Sequence, residues 1–175
     1  VEDFEPERLA FEVSAEDKPI VVDEATPVSV MAKYLYGATA PDLSVEADTV
    51  LSAVTSLAKY PGYTFGRLDD SFETDREELG VVGVTDEDGN VTADVTVPAP
   101  QATTRPLEAK LIMRLVDSNG RAIERSLTRP VLADVDRIGL KPQFSEADGL
   151  AEGSQAGFDV IAVAPTGETI DKAGL

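Results

Sequence analysis

The sequence predicts an all-β fold of short antiparallel strands, and three observations predict it. Apolar residues recur at every second position through most of the chain. Asx-Gly turn signals and prolines sit where those runs stop. No stretch repeats apolar residues at i, i+3, i+4 and i+7, the period a packed helix needs. Successive side chains of a strand point to opposite faces, so a two-residue period buries one face and leaves the other in water.

The elements follow in order. Leu9, Phe11 and Val13 alternate with Ala10, Glu12 and Ser14. Val28, Val30, Ala32, Tyr34 and Tyr36 alternate with Ser29, Met31, Lys33 and Leu35. Leu43, Val45, Ala47, Thr49, Leu51 and Ala53 face one way, and Ser44, Glu46, Asp48 and Ser52 the other. Val91, Ala93, Val95 and Val97 alternate with Thr92, Asp94 and Thr96, directly after the turn sequence Asp86-Glu87-Asp88-Gly89-Asn90. Leu107, Ala109, Leu111, Met113 and Leu115 alternate with Glu108, Lys110 and Arg114, and Asp117-Ser118-Asn119-Gly120 separates this run from residues 121–131. Asn-Gly and Asp-Gly tolerate the positive φ that tight hairpins require. Pro19, Pro27, Pro41, Pro98, Pro100, Pro106 and Pro130 mark strand ends, where a missing N–H does little harm.

One segment breaks the rhythm. Residues 55–84 read as a long loop, far beyond the usual connection of ~4–6 residues. It is either mobile or folded back on the sheets by Tyr60, Tyr63, Phe65 and Phe72, with Pro61-Gly62 as a turn. Residues 8–133 thus form one antiparallel β-sandwich of immunoglobulin or fibronectin type III character, preceded by a linker at 1–7. Beyond a boundary near 131–136 come Ile138 to Pro142, an acidic loop, a strand at 157–163 and a turn at Pro165-Thr166-Gly167. Their order echoes residues 8–40, so 134–175 reads as the first strands of a second domain of the same type. Two strands alone are marginally stable, so amides there are expected to be protected less than those of 8–131.

Composition narrows the chemistry. The chain has 175 residues, with 33 acids against 15 bases, a formal net charge of -18, and no Cys, His or Trp. An apolar content of 42% suffices for a core. Lacking His, it has no Ser-His-Asp machinery and no imidazole proton shuttle. Lacking Cys, it has no thiolate nucleophile, disulfide framework or zinc-thiolate site. The negative charge disfavours nucleic acid and anionic membrane surfaces, both of which are bound through Lys and Arg. No apolar run approaches the ~20 residues of a membrane helix. The ends, Val1-Glu2-Asp3-Phe4 and Ala173-Gly174-Leu175, show no initiator Met or signal peptide and suggest an excised piece of a longer protein.

Four constellations carry candidate chemistry. Asp86, Asp88 and Asn90 around Gly89 offer oxygen ligands for Ca²⁺, and the third reading of the chain is a Ca²⁺-stabilised extracellular repeat. No bidentate Glu follows at the right offset, so an exposed hairpin turn is the better reading. Asp69, Asp70, Glu73, Asp75, Glu77 and Glu78 form the densest acidic run. A carboxylate pair serves a glycosidase only in a cleft with a raised pKa, and a solvated loop face is expected instead. Arg105, Lys110, Arg114, Arg121, Arg125, Arg129, Arg137 and Lys141 make the late part locally basic, either as solvated strand positions or facing an acidic neighbouring domain. Tyr34, Tyr36, Tyr60 and Tyr63 are candidates for stacking on a sugar, with core and loop packing the plainer role. No catalytic, cofactor-binding or metal residue is assigned, and no enzyme is expected.

The order of these pieces resembles the macroglobulin domains of bacterial alpha-2-macroglobulins. The residues that carry it are Asp3-Phe4, Pro6 and Arg8-Leu9; Ala32-Lys33-Tyr34-Leu35-Tyr36-Gly37-Ala38; and Leu43, Val45, Glu46 and Ala47. Tyr60-Pro61-Gly62-Tyr63, Phe65-Gly66, Arg76-Glu77-Glu78-Leu79, Thr85-Asp86 and Gly89 continue it. Arg105-Pro106-Leu107, Ala109, Gly120-Arg121, Ile123 and Gly157-Phe158, with Val160 to Val163, close it. The resemblance implies a monomeric scaffold fragment of a large protease trap in the periplasm or cell envelope of a Gram-negative bacterium. Its implied partners are the neighbouring macroglobulin domains and the proteases the parent captures. Many members carry a Cys-x-Glu-Gln thioester, which a chain without Cys lacks. A membrane anchor of the parent, if present, lies outside this segment. The alternative is an adhesion or carbohydrate-binding module of immunoglobulin type.

Overall fold

The computed structural model describes residues 9–116, 120–132, 134–145 and 149–171. The linker at 1–7, the Asp3–Arg8 part of the resemblance, Asp117-Ser118-Asn119 of the predicted hairpin turn and 146–148 of the acidic loop lie outside them. The chain is antiparallel β-structure with no helix among the described residues.

Eleven strands succeed one another among the described residues. They are β1 (Leu9–Ala15), β2 (Ala25–Tyr34), β3 (Ser44–Ala53), β4 (Thr64–Phe65), β5 (Asp75–Val84) and β6 (Asn90–Thr96). Next come β7 (Leu107–Val116), β8 (Ala122–Val131), β9 (Arg137–Pro142), β10 (Phe158–Val163) and β11 (Thr169–Ile170). Three sheets result, ordered β1-β2-β6, β5-β3-β7-β8 and β11-β10-β9-β4.

The first two sheets enclose one core. From the three-stranded sheet come Phe11, Val28, Val30, Ala32, Ala93 and Val95. Val45, Ala47, Leu51, Ala109, Leu111, Met113 and Leu115 meet them from the four-stranded sheet. Fully burying each Val, Leu or Met is worth ~1.5–3 kcal/mol, and these are the residues the two-residue alternation places inward. Pro27 lies within the central strand β2, yet beyond the end of β1, whose pairing stops at Ala15 opposite Val28. Ile20 closes one side through a parallel bridge to Val131, with hydrogen bonds to Pro130 and from Leu132, each 2.8 Å.

Three expectations need correction. The loop expected at 55–84 ends at residue 74, because 75–84 is a ten-residue strand on the edge of the four-stranded sheet. Its pairing with β3 shifts register twice, between Val45 and Glu46 and between Ala47 and Asp48. Each shift inserts an extra residue, and the half-buried Leu79 and Val82 pack on the core three positions apart. Bulges of this kind erase a two-residue period. The predicted β2 run to Tyr36 stops at Tyr34, where a turn through Gly37 (φ 94°) brings the Tyr34 amide to the Ala38 carbonyl at 2.9 Å. Most unlike the expectation, the aromatics of the long loop do not all return to the sandwich. Phe72 packs on its core, but Thr64 and Phe65 form β4, which pairs with β9 in the third sheet.

Candidate functional site

The junction between sandwich and third sheet concentrates the features a functional reading must explain. Its centre is β4. The chain turns at Pro61-Gly62 (Gly62 φ 84°), closed by a 3.3 Å hydrogen bond from the Tyr63 amide to the Tyr60 carbonyl. The Phe65 amide then donates to the Thr55 carbonyl at 2.8 Å, so the outgoing and returning arms of the loop brace each other. This delivers Thr64 opposite Leu140 and Phe65 opposite Gly139. Phe65 is only 1% exposed. A Cβ at Gly139 would lie 2.7 Å from the Phe65 ring, so only glycine lets the ring settle on the β9 backbone.

Tyr60 extends the contact. Its ring lies 6.3 Å from that of Phe65, and its hydroxyl donates to the Gly167 carbonyl at 2.9 Å in the turn between β10 and β11. Lys59 reaches the same turn through Glu168 at 2.6 Å and the Gly167 carbonyl at 3.1 Å. Both Lys59 and Glu168 are exposed, so that pair adds little. Tyr60→Phe is expected to cost about 1 kcal/mol, the net worth of one part-buried hydrogen bond, in urea unfolding followed at β10 and β11. Lys59→Ala is expected to leave the same transition unmoved.

Beside β4 a cleft of about 780 Å³ opens between residues 64–71, 102–104 and 135–140. Asp70 organises one wall. Its Oδ2 accepts from the Thr104 amide and hydroxyl, each at 2.6 Å, and from the Thr103 hydroxyl at 3.0 Å. Those donors hold its carboxyl below the usual carboxylate range. Asp69 is held low by Arg67, 2.6 Å away. Arg137 also lines the cleft; it is 8% exposed, and its Nη2 donates to the Arg105 carbonyl at 3.0 Å.

A second polar feature crosses the outer face of the four-stranded sheet. Asp48 on β3 is 2% exposed and lies between Arg76 on β5 and Arg114 on β7. Arg114 Nη1 donates to Asp48 Oδ1 at 2.8 Å and Arg76 Nε to Oδ2 at 3.1 Å. Arg114 also pairs with Glu124 on β8 at 3.3 Å. Charges of alternating sign therefore run across β5, β3, β7 and β8. The Arg114 guanidinium beside Asp48 is the largest cause that lowers the carboxyl, and it outweighs the opposing effect of burial. Opposite charges on neighbouring strands stabilise strand register.

The candidate residues from sequence fall as follows. Asp86 Oδ1 accepts from the amides of Asp88 at 3.0 Å and Asn90 at 2.8 Å, which makes the motif a capped hairpin turn. Gly89 has φ 81°, and a Cβ there would strike the Ala32 carbonyl oxygen at 2.3 Å. Among the described residues no three His, Cys, Asp or Glu are grouped to hold a metal ion. The acidic run does not converge: Asp69 and Asp70 belong to the cleft, while Asp75, Glu77 and Glu78 are exposed along β5. The bases are not simply solvated. Arg114 holds Asp48, Arg129 donates to the carbonyls of Ala15 and Glu16, Arg125 covers the Phe11 ring, and Arg137 is buried. Tyr34 and Tyr36 stack at 5.3 Å, Tyr63 faces Lys141, and Tyr60 is spent on the junction. Sequence reasoning missed Asp48 and Arg137 as buried charges. The only signal available was their position among apolar neighbours on strands.

Comparison with known proteins places this geometry among relatives. The bacterial alpha-2-macroglobulin MG5 domain matches residues 7–133. The alpha-2-macroglobulin of Xylella fastidiosa is 27% identical over 177 residues, covering 100% of this chain and 11% of that protein. That of Escherichia coli is 27% identical over 175 residues, covering 92% of this chain and 10% of its own length. The structure of Escherichia coli alpha-2-macroglobulin activated by porcine elastase superposes with a TM-score of 0.65 at 29% identity, over 94% of this chain and 15% of that one. The chain thus spans about a tenth of the length of the curated relatives it matches.

Proposed function

The chain belongs to the bacterial alpha-2-macroglobulin family through its MG5 domain, a family of protease-trapping, non-enzymatic inhibitors, and from that premise we propose that it is a wall module of such a trap. In this reading the parent is a broad-spectrum endopeptidase inhibitor of the cell envelope of a Gram-negative bacterium, and this segment sets the angle between two successive modules. Its partners are the neighbouring macroglobulin domains and, through the parent, the captured protease.

The observation that carries the reading is β4. A sandwich that lends a strand to the following sheet is built to hold a joint, since separation of the two would break backbone hydrogen bonds and expose Phe65. We read 134–175 as the opening of the next macroglobulin-like domain. One face of its sheet leaves Leu140, Phe158 and Val160 about half exposed, which suits a sheet that meets a second layer. The carbohydrate-binding alternative has less support, because Tyr60 and Tyr63 are engaged by Gly167 and Lys141.

The test is a trapping assay on the full-length parent with elastase. The expected result is a protease still active on a small peptide substrate and shielded from a large protein substrate. Equal loss of activity on both substrates, or no shielding, overturns the reading. The 175-residue chain alone is expected to inhibit neither.

A further inference from the structure

Strand β2 leads away from the junction. It starts at Ala25, opposite Thr96, where the connection begins whose residues 102–104 line the cleft. It ends at Tyr34, roughly 30 Å further on at ~3.3 Å per residue. There Leu35 is 64% and Tyr36 77% exposed, and no aromatic ring among the described residues is more exposed than Tyr36. Their turn is fixed. The Tyr34 amide donates to the Ala38 carbonyl at 2.9 Å, the Gly37 amide donates to the Tyr34 carbonyl at 2.8 Å, and Lys33 bridges to Thr39. The Tyr36 ring stacks on Tyr34 with 5.3 Å between centroids, and Tyr34 packs on the core. A ring held in this way loses little rotamer freedom when another surface covers it. Tyrosine is also among the residues that most often anchor interfaces.

Two observations point to the occupant. The first is where the polypeptide arrives. Leu9 opens β1 and is the Cα partner of Tyr34, so whatever precedes Leu9 reaches the sandwich beside this turn. The eight residues before Leu9 span at most about 29 Å, at ~3.6 Å each. A module on so short a tether meets the turn at an effective concentration on the order of millimolar, where a small surface suffices. The second is the charge around it. Asp86, Glu87 and Asp88 are exposed on the adjoining turn, whose Gly89 carbonyl accepts from the Ala32 amide at 2.7 Å. Asp42 is exposed as well, its amide bonded to the Thr85 carbonyl at 3.0 Å. An apolar centre with an acidic rim is complementary to an apolar patch ringed by Lys or Arg. We propose that Leu35 and Tyr36 are the docking surface for the module that precedes this one in the parent protein, which meets them with an apolar patch and a basic rim. The wall-module reading supplies only the existence of that module. The sandwich is then gripped at both ends, by Tyr36 on the incoming side and by β4 on the outgoing side.

Hydroxyl-radical footprinting read by mass spectrometry compares Leu35 and Tyr36 in the 175-residue chain and in the full-length parent at equal radical dose. The expected result is oxidation about fivefold or more slower in the parent, as a 77% exposed ring passes into the centre of an interface. Equal oxidation in both overturns the proposal. Protection already present in the 175-residue chain overturns it too: lost on dilution it means a second copy, and kept on dilution it means a cover from the chain itself. The full-length parent carrying Tyr36→p-benzoylphenylalanine is then irradiated. The expected crosslink maps to the module immediately ahead of this one in the same molecule. A crosslink to a later module or to a second molecule, or none, overturns the proposal. Leu35→p-benzoylphenylalanine repeats the measurement if the first variant does not assemble. A parent that traps elastase while Tyr36 stays reactive refutes this contact alone. A parent that gives the expected crosslink and fails to trap refutes the wall-module reading alone.

Discussion

Phe65→Ala is expected to release the third sheet from the sandwich while leaving the sandwich folded. Phe65 is buried against Gly139 and Ile161, whose side chains and backbone belong to β9 and β10. Truncating a buried Phe costs about 3–5 kcal/mol. Because Phe65 lies outside the main core cluster, that cost falls on local opening of the junction. Amide exchange in β9 and β10 should accelerate by roughly two to four orders of magnitude, at ~1.4 kcal/mol per tenfold. Exchange in β3 and β7 should stay within a few-fold of the unaltered protein. Equal acceleration in both regions would mean that the two form one cooperative unit. No acceleration would mean that the ring is not the tie.

The second large effect is expected at Asp48. Asp48→Ala strands Arg114 and Arg76 against a face from which the carboxylate has gone. Breaking a buried pair costs ~3–5 kcal/mol, and about 2–3 kcal/mol is expected here because Arg76 is half exposed and turns to water. Asp48→Leu combined with Arg114→Met should cost less than Asp48→Ala alone, since it removes the more buried arginine and leaves only the half-exposed Arg76 and Glu124 to turn to water. The pH dependence has a definite sign. The folded carboxyl titrates below its unfolded value of ~3.9. Its contribution is therefore complete above that value and is lost as pH falls through the lower folded one. The stability gap between unaltered protein and Asp48→Ala should be flat from about pH 5 to 8 and narrow below about pH 4. Urea unfolding across that range checks it. A gap that widens in acid would contradict the assignment.

The parts of the fold that were legible in the sequence share one property. In β1, β2, β3, β6 and β7 the core side is every second residue, and local spacing reports it directly. β5 was illegible because its two bulges put Leu79 and Val82 out of phase. β4 was illegible for another reason. It has two residues, and its partner Gly139 lies far along the chain, so no local pattern could announce it. Asp48 shows the limit of periodicity. Alternation assigned it correctly to the outer face, but the face says nothing of what covers it, and the arginine side chains of β5 and β7 do. Arg137 repeats the lesson at the junction, where a base on a strand reads as solvated until the loop and the Arg105 backbone close over it. The tyrosines were read as loop packing or stacking groups, and Tyr60 became the hydroxyl that ties the loop to the β10–β11 turn.

The central claim is that a strand from the sandwich loop is built into the following sheet. Thr64 and Leu140 are Cα partners across β4 and β9, both exposed, in a chain with no cysteine. Opposed residues of an antiparallel pair lie ~4.5–5.5 Å apart at Cα, within the range a disulfide spans. The Thr64→Cys, Leu140→Cys double variant should therefore oxidise quantitatively within the monomer and leave no free thiol. Thiols that stay titratable under oxidant, or that link only between molecules, would contradict it.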